Sequence, residues 1–127
     1  MILLDTATFL WIIKGSIRLS QKAKRLYLDE KNKVYLSSIS VWEMEIKYKL
    51  GKLPLPSSPF LFIPQQRYLH GIESLPLEEY DTLELEKLPN IHNDPFDRML
   101  ICQARVRNFT ILTSDKLICS YPVKTAW

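Results

Sequence analysis

The chain has 127 residues, of which 46% are hydrophobic and 24% are charged. This composition excludes disordered and fibrous proteins, and the length fits one domain, which we expect to span residues 1–127. Seventeen Lys and Arg against fourteen Asp and Glu give a net charge of +3, a mildly basic balance that is compatible with a nucleic-acid partner.

Short apolar runs alternate along the chain with longer segments of helical periodicity. The predicted elements are, in chain order, a strand at 2–4, helices ending at 13 and spanning 19–30, a strand at 34–36, helices at 41–50 and 59–69, a strand at 72–75, helices at 78–88 and 96–106, a strand at 109–113, a short helix after 115 and a strand at 123–126. This alternation predicts an α/β fold with a mainly parallel sheet covered by helices on both faces.

Four acidic residues follow predicted strands or open predicted helices: Asp5, Glu43, Asp97 and Asp115. In an open parallel sheet, ligands bind beyond the carboxyl ends of the strands, so these acids are candidate site residues. Three of them also have an ordinary structural explanation, because Asp5 and Asp115 suit helix N-caps and Asp97 suits the first turn of a helix.

Glu43 also has structural explanations. It stands three residues after Ser40, which is the spacing of a capping box, and four before Lys47, which is the spacing of a helical ion pair. However, Glu43 borders an apolar stripe that we expect to face the core, and Asp97 falls within the apolar stripe of its own helix. The stripe beside Glu43 consists of Ile39, Trp42, Ile46, Leu50 and Leu53. A carboxylate that faces the core needs a partner, because an unpaired buried charge is prohibitive.

Convergence of four carboxylates predicts a cation site. Two like charges about 4 Å apart repel by about 4 kcal/mol at an effective dielectric constant of about 20, so the group must protonate or bind cations. Oxygen ligands without His or Cys companions suit Mg²⁺ or Mn²⁺. Two such ions can activate water against a phosphodiester. The four acids therefore predict metal-dependent phosphodiester hydrolysis.

The segments that contain these acids also resemble a known family. They are Leu-Leu-Asp-Thr at 3–6, Ser-Val-Trp-Glu at 40–43, His-Asn-Asp-Pro-Phe-Asp-Arg at 92–98 and Leu-Thr-Ser-Asp at 112–115. In this order they resemble the PIN-domain family over essentially the whole chain, in particular the VapC-like toxins of toxin-antitoxin pairs. The resemblance implies a three-layer α/β/α sandwich and an endoribonuclease that needs Mg²⁺ or Mn²⁺, with its acidic quartet at Asp5, Glu43, Asp97 and Asp115.

The resemblance also implies supporting residues. Thr113 and Ser114 match the polar pair before the last acid, where a hydroxyl orients a carboxylate or a metal-bound water. Asp94 matches a feature of this branch of the family. Its three alternative roles are a helix cap, an outer-shell ligand and a supplement to Asp97, and we favour the cap. We expect His92 to be a hydrogen-bonded turn residue, because chemistry based on the quartet needs no general base.

The resemblance further implies an RNA substrate, a cognate antitoxin and a homodimer. Met44 and Tyr48 lie opposite the predicted core-facing stripe of their helix and are interface candidates. Candidates for contacts with RNA phosphates are the lysines near Glu43, namely Lys47, Lys49 and Lys52. If four acids hold metal, ten remain against seventeen bases, so the rest of the molecule carries +7. The alternative to an enzyme is a catalytically silent PIN-like module that binds RNA or protein.

The cysteines and the apolar segments indicate where in the cell the protein is located. Cys102 and Cys119 are too few for a disulfide framework, so we expect two core thiols in a reducing environment. The apolar start contains Asp5 and lacks a basic leading region, which is unlike a signal peptide. No apolar run approaches the roughly 20 residues of a membrane span. We therefore expect a cytoplasmic protein that does not contact a membrane.

Overall fold

A computed structural model describes all residues from Met1 to Trp127. Its strands are β1 (Ile2–Leu4), β2 (Val34–Ser37), β3 (Ile72–Leu75), β4 (Thr110–Leu112) and β5 (Thr125–Ala126). Its helices are α1 (Thr6–Lys14), α2 (Gln21–Leu28), α3 (Ser38–Lys49), α4 (Pro59–His70), α5 (Glu79–Leu83), α6 (Pro95–Arg107) and α7 (Lys116–Cys119). A short 3₁₀ helix at Glu84–Lys87 replaces the second half of the helix predicted at 78–88.

The five strands form one parallel sheet in the order β3-β2-β1-β4-β5. β1 shows how the sheet divides the core, because successive side chains of a strand point to opposite faces. Ile2 and Leu4 belong to one apolar cluster with residues of α1 to α4, whereas Leu3 belongs to a second cluster with residues of α6 and α7. The fold is therefore a three-layer α/β/α sandwich, as predicted.

β1 lies in the middle of the sheet, and its neighbours place the candidate site. Leu4 pairs with Leu36 of β2 on one side and with Leu112 of β4 on the other. The chain order reverses at β1, which makes its carboxyl end the switch point where such sheets bind ligands. The residues after all three strands consequently meet at one edge.

The start of α3 differs from the sequence prediction. Ser37 is the N-cap, since its hydroxyl accepts a hydrogen bond from the Ile39 amide at 3.0 Å. The helix therefore begins at Ser38 rather than at Val41, and Ser40 lies inside it. The capping box between Ser40 and Glu43 is accordingly wrong.

The side of α3 that packs into the core was predicted correctly only in part, because Ile39 of the expected stripe is buried but three other members are exposed. Met44 is fully buried, whereas Trp42, Ile46 and Leu50 are 56%, 38% and 63% exposed. Because α3 carries apolar side chains on more than one side, periodicity locates the stripes but does not identify the one that packs. Met44 is therefore a core residue and not an interface candidate.

Two further sequence expectations concern the cysteines and the membrane. Cys102 is a buried thiol as expected, but Cys119 is exposed, because it ends the single turn of α7. None of the helices combines the length and the apolar character that crossing a bilayer requires.

Candidate active site

Asp5 follows β1 directly and is the N-cap of α1. Its Oδ1 accepts a hydrogen bond from the Thr8 amide at 2.7 Å, and its Oδ2 accepts one from the Thr113 hydroxyl. The residue is 7% exposed, and burial raises the pKa of its carboxyl above the ordinary value, with a smaller contribution from the charge of Asp115. Asp5 is thus both a helix cap and a buried acid beside a second acid.

Thr113 links the ends of β1 and β4. While its hydroxyl donates to Asp5, the same oxygen accepts a hydrogen bond from the Asp115 amide at 3.0 Å. Asp115 in turn caps α7 by accepting from the Leu117 amide at 2.8 Å. One buried hydroxyl therefore holds two of the predicted acids in fixed relation. The neighbouring Ser114 is exposed.

Glu43 projects from α3 and is 8% exposed. Its Oε1 accepts a hydrogen bond from the Thr6 hydroxyl at 2.7 Å, and its Oε2 lies 2.7 Å from the ammonium of Lys47. The Thr6 oxygen also lies 3.0 Å from the hydroxyl of Ser40. The predicted helical ion pair with Lys47 is present, and Thr6 ties Glu43 to the segment that follows Asp5.

Asp97 lies in the first turn of α6, which Asp94 caps. The Asp94 carboxylate accepts hydrogen bonds from the amides of Phe96 at 2.9 Å and Asp97 at 3.1 Å, which agrees with the favoured cap interpretation. Burial raises the pKa of Asp97 from 3.8 to about 6, and the charges of Asp94, Asp115 and Glu43 contribute in the same direction. Asp97 is therefore within electrostatic reach of its own helix cap, Asp94, and of acids from two other segments, Asp115 and Glu43.

A polar network behind Asp97 was not predicted from the sequence. The ring nitrogens of His92 lie 3.2 Å from Asp97 Oδ2 and 2.7 Å from the Tyr121 hydroxyl, and Arg98 donates to the same hydroxyl at 3.0 Å. Tyr121 lies 29 positions after His92, so no local spacing could have identified this contact. Thr6 was part of a recognised motif, but its position gave no indication of its contact with Glu43.

We refer to Asp5, Glu43, Asp97 and Asp115 as the acidic edge. The structure brings them to one side of the sheet, but no three His, Cys, Asp or Glu side chains stand close enough together to hold one metal ion. The chemistry of the donors nevertheless fits a hard divalent cation, since carboxylate oxygens predominate and Thr113 adds a hydroxyl. Burial is the main cause of the raised pKa values of Asp5 and Asp97, and the charges of neighbouring acids add to both shifts, so a bound cation would favour the ionised carboxylates.

The predicted lysines differ in their surroundings. Lys47 is engaged with Glu43, and its side chain is 50% exposed. Lys49, the last residue of the same helix, and Lys52, three positions later, are exposed. The structure therefore leaves these last two accessible to a polyanion.

Comparison with known protein families gives one match to a family model. The model is described as PIN domain, and it matches residues 2–124. A curated relative, Ribonuclease VapC16 from Mycobacterium tuberculosis, is 31% identical over 61 residues. That alignment covers 48% of this chain and 43% of the relative, so the chain matches less than half of that protein's length.

Solved structures resemble the whole chain. The DNA-bound VapBC structure from Salmonella typhimurium matches with a TM-score of 0.71 at 18% identity, covering 98% of this chain and 96% of that chain. VapBC-1 from nontypeable Haemophilus influenzae matches with a TM-score of 0.67 at 20% identity, covering 99% and 97%. VapBC2 from Rickettsia felis, bound to a promoter DNA fragment, matches with a TM-score of 0.67 at 18% identity, covering 99% and 98%. At these identities the likeness shows a shared fold.

Proposed function

The chain belongs to the PIN-domain family, and from that premise we propose that it is a metal-dependent endoribonuclease, the toxin of a toxin-antitoxin pair, whose nuclease domain spans residues 1–127. The main support is the convergence of buried acids at the acidic edge. Burial raises the pKa of Asp97 to about 6, and the charges of Asp94, Asp115 and Glu43 add to this shift. Negative charge of this kind, at the switch point of a parallel sheet, favours the binding of a cation and of an anionic ligand that the cation attracts. The curated relative named a ribonuclease is consistent with RNA as that ligand.

In this proposal the acidic edge holds Mg²⁺ or Mn²⁺. When bound, such an ion stabilises the charge that develops on a phosphodiester and lowers the pKa of water. The residues of the chain orient the site: Thr113 fixes Asp5 and Asp115, and Thr6 fixes Glu43 through Oε1. Lys47 balances part of the charge of Glu43, and Lys49 and Lys52 attract the RNA backbone.

We also propose two protein partners, an antitoxin and a second copy of this chain. The exposed apolar side of α3 consists of Trp42, Ile46 and the C-cap residue Leu50, and it belongs to the helix that carries Glu43. Contiguous apolar surface of this kind marks interaction sites. We assign the homodimer contact to this side of α3, in place of Met44.

The enzymatic proposal is tested by incubating the purified protein with a mixed RNA pool and Mg²⁺, Mn²⁺ or EDTA. Asp5→Asn is the test variant, and Asp29→Asn, at an exposed acid far along the chain, is the matched control. We expect cleavage by the native protein and the control with metal, no cleavage in EDTA, and at least about a 100-fold loss in Asp5→Asn.

Two outcomes contradict the proposal in different ways. Cleavage that persists in EDTA or in Asp5→Asn removes the metal mechanism. Failure of the native protein to cut any RNA with either metal favours the catalytically silent module that binds RNA or protein.

A further inference from the structure

The loop before α6 holds His92 between two polar groups. Its Nε2 lies 3.2 Å from Asp97 Oδ2, and its Nδ1 lies 2.7 Å from the Tyr121 hydroxyl. The rings of His92 and Tyr121 are also in edge contact, with centroids 5.4 Å apart. Both ring nitrogens of His92 are therefore engaged within the chain.

The hydrogen bonds at the Tyr121 hydroxyl determine where its proton lies. It receives a hydrogen bond from the His92 amide at 3.1 Å and one from Arg98 Nη1 at 3.0 Å. Both of these groups can only donate, so they occupy the two lone pairs of the oxygen. The single proton of Tyr121 must then be donated, and the nearer acceptor is His92 Nδ1 at 2.7 Å rather than the His92 carbonyl at 3.4 Å.

This arrangement fixes the tautomer of His92. Because Nδ1 accepts a hydrogen bond from the Tyr121 hydroxyl, the neutral imidazole carries its own proton on Nε2. That proton is donated to Asp97 Oδ2 at 3.2 Å. The other oxygen of Asp97, Oδ1, has no hydrogen-bond partner within the chain.

Arg98 supports the network from the other side. Its Nη1 donates to the Pro89 carbonyl at 2.9 Å as well as to Tyr121. The guanidinium also lies 5.9 Å from the centre of the Tyr121 ring, within the range of a cation–π contact. The loop, α6 and the segment after α7 are thus joined at one hydroxyl.

We propose that His92 is a positioning residue, which Tyr121 and Arg98 hold in its Nε2–H tautomer so that it fixes Asp97 through Oδ2 and leaves Oδ1 available for a divalent cation. The cation part rests on the proposed function. Buried metal sites commonly orient a ligand through a hydrogen bond from a neighbouring group, and loss of that group weakens metal binding by about 10- to 100-fold. This role differs from a general base, since the Nδ1 lone pair is already occupied.

The tautomer is tested by ¹⁵N NMR of the imidazole groups, with no metal present. The chain has two histidines, and His70 serves as an internal reference, because its Nδ1 lies 2.9 Å from the Gln66 carbonyl and must carry the proton. We expect opposite tautomers for the two residues in the native protein. In Tyr121→Phe, which removes one oxygen from a buried ring, the Nδ1 resonance of His92 should shift because its hydrogen bond is lost, whereas the Asp97 carboxylate still favours Nε2–H and His70 is unchanged.

An Nδ1–H tautomer at His92 in the native protein overturns the proposal, as does an unchanged Nδ1 resonance of His92 in Tyr121→Phe. The His70→Gln variant assigns the resonances, because only His92 then remains. Neither result depends on whether the protein is a nuclease.

The positioning role is tested by Mn²⁺ binding, measured by calorimetry on native protein, His92→Ala, His92→Gln and Tyr121→Phe. Gln places an N–H donor close to the position of Nε2, so we expect affinity to fall about 10- to 100-fold in His92→Ala and to be partly restored in His92→Gln. Native affinity in His92→Ala overturns the positioning role alone. Failure of the native protein to bind Mn²⁺ contradicts the proposed function and, with it, the cation part of this inference.

Discussion

The carboxylates of the acidic edge differ in how the chain balances their charge. Glu43 has the ammonium of Lys47 at 2.7 Å, and Asp5 accepts hydrogen bonds from Thr8 and Thr113. Asp97 has only the imidazole of His92 as a side-chain hydrogen-bond partner, and burial raises its pKa to about 6. Ionisation of Asp97 therefore lowers the free energy of unfolding of the metal-free protein, because the same carboxyl ionises without this penalty in the unfolded chain.

Asp97→Asn should accordingly stabilise the metal-free protein near neutral pH. The folded carboxyl keeps its proton up to about pH 6, whereas the unfolded one releases it near 3.8. The contribution of Asp97 to the free energy of unfolding is therefore greatest below about pH 3.8, and it is lost as the pH rises through about 6. A shift of two units amounts to about 3 kcal/mol at most, so we expect a gain of about 1 to 3 kcal/mol.

Urea unfolding in EDTA across this pH range measures the effect. The stability gain of Asp97→Asn should disappear in acid, where the Asp97 carboxyl of the native protein is protonated in both the folded and the unfolded state. Asp29→Asn, at an exposed acid, should leave the free energy of unfolding nearly unchanged. If Asp97→Asn is no more stable than the native protein near neutral pH, the charge of Asp97 is balanced in some other way.

At the scale of elements, α3 determines both the core and the surface beside the site. Its buried side chains include Met44 and Glu43, and its exposed side carries Trp42, Ile46 and Leu50. Trp42 packs edge-on against Phe96 of α6, with ring centroids 5.1 Å apart, although more than half of its surface stays exposed. The helix thus contributes a core residue, a site residue and an apolar surface from three sides.

The orientation of α3 is tested by a matched pair of substitutions. Met44→Ala removes a side chain that is fully buried and should lower the free energy of unfolding by about 2 to 5 kcal/mol. Ile46→Ala, only two positions away, should change it by less than about 1 kcal/mol at protein concentrations where the chain is a monomer. Chemical denaturation measures both values, and a larger loss in Ile46→Ala would mean that the sequence prediction had the correct side after all.

The homodimer proposed for the exposed side of α3 is tested with Ile46→Glu. A charge in the centre of a packed apolar interface is strongly unfavourable, so the variant should be a monomer at concentrations where the native protein is a dimer. Light scattering after size-exclusion chromatography gives the mass. Leu117→Glu is the control, because Leu117 is an exposed leucine on α7. A monomeric native protein, or a dimer that persists in Ile46→Glu, contradicts the assignment.

The sequence predicted the elements better than their contacts, for a physical reason. The apolar run Ile2–Leu4 must be buried on both faces, so a central parallel strand follows from it directly. The acids that follow strands were found because strand ends meet at one edge. The packed side of α3 depends on distant helices, and the bond between His92 and Tyr121 joins residues 29 positions apart. Neither contact leaves a local pattern in the sequence.

At the scale of the whole molecule, the charge is divided between the acidic edge and a basic remainder. The net charge of +3 becomes +7 when the four acids of the edge are set aside. Lys49 and Lys52 belong to this remainder and are exposed at and just after the end of α3, the helix that carries Glu43. Such a distribution suits a polyanionic substrate, because the basic surface attracts the backbone while a cation offsets repulsion at the site.

The salt dependence of RNA binding tests this division of charge. Each lysine that contacts a phosphate of single-stranded RNA contributes about 0.7 to the slope of log affinity against log salt. Removing Lys49 and Lys52 together should therefore make the slope shallower by about 1.4. Binding is measured with Mg²⁺ in the Asp5→Asn background, so that cleavage does not interfere. The double variant Lys22→Ala and Lys24→Ala removes two exposed charges from α2 and is the control. If the control variant changes the slope equally, any exposed positive charge contributes to RNA binding regardless of its position. If the slope is unchanged without Lys49 and Lys52, the RNA backbone does not contact these two lysines.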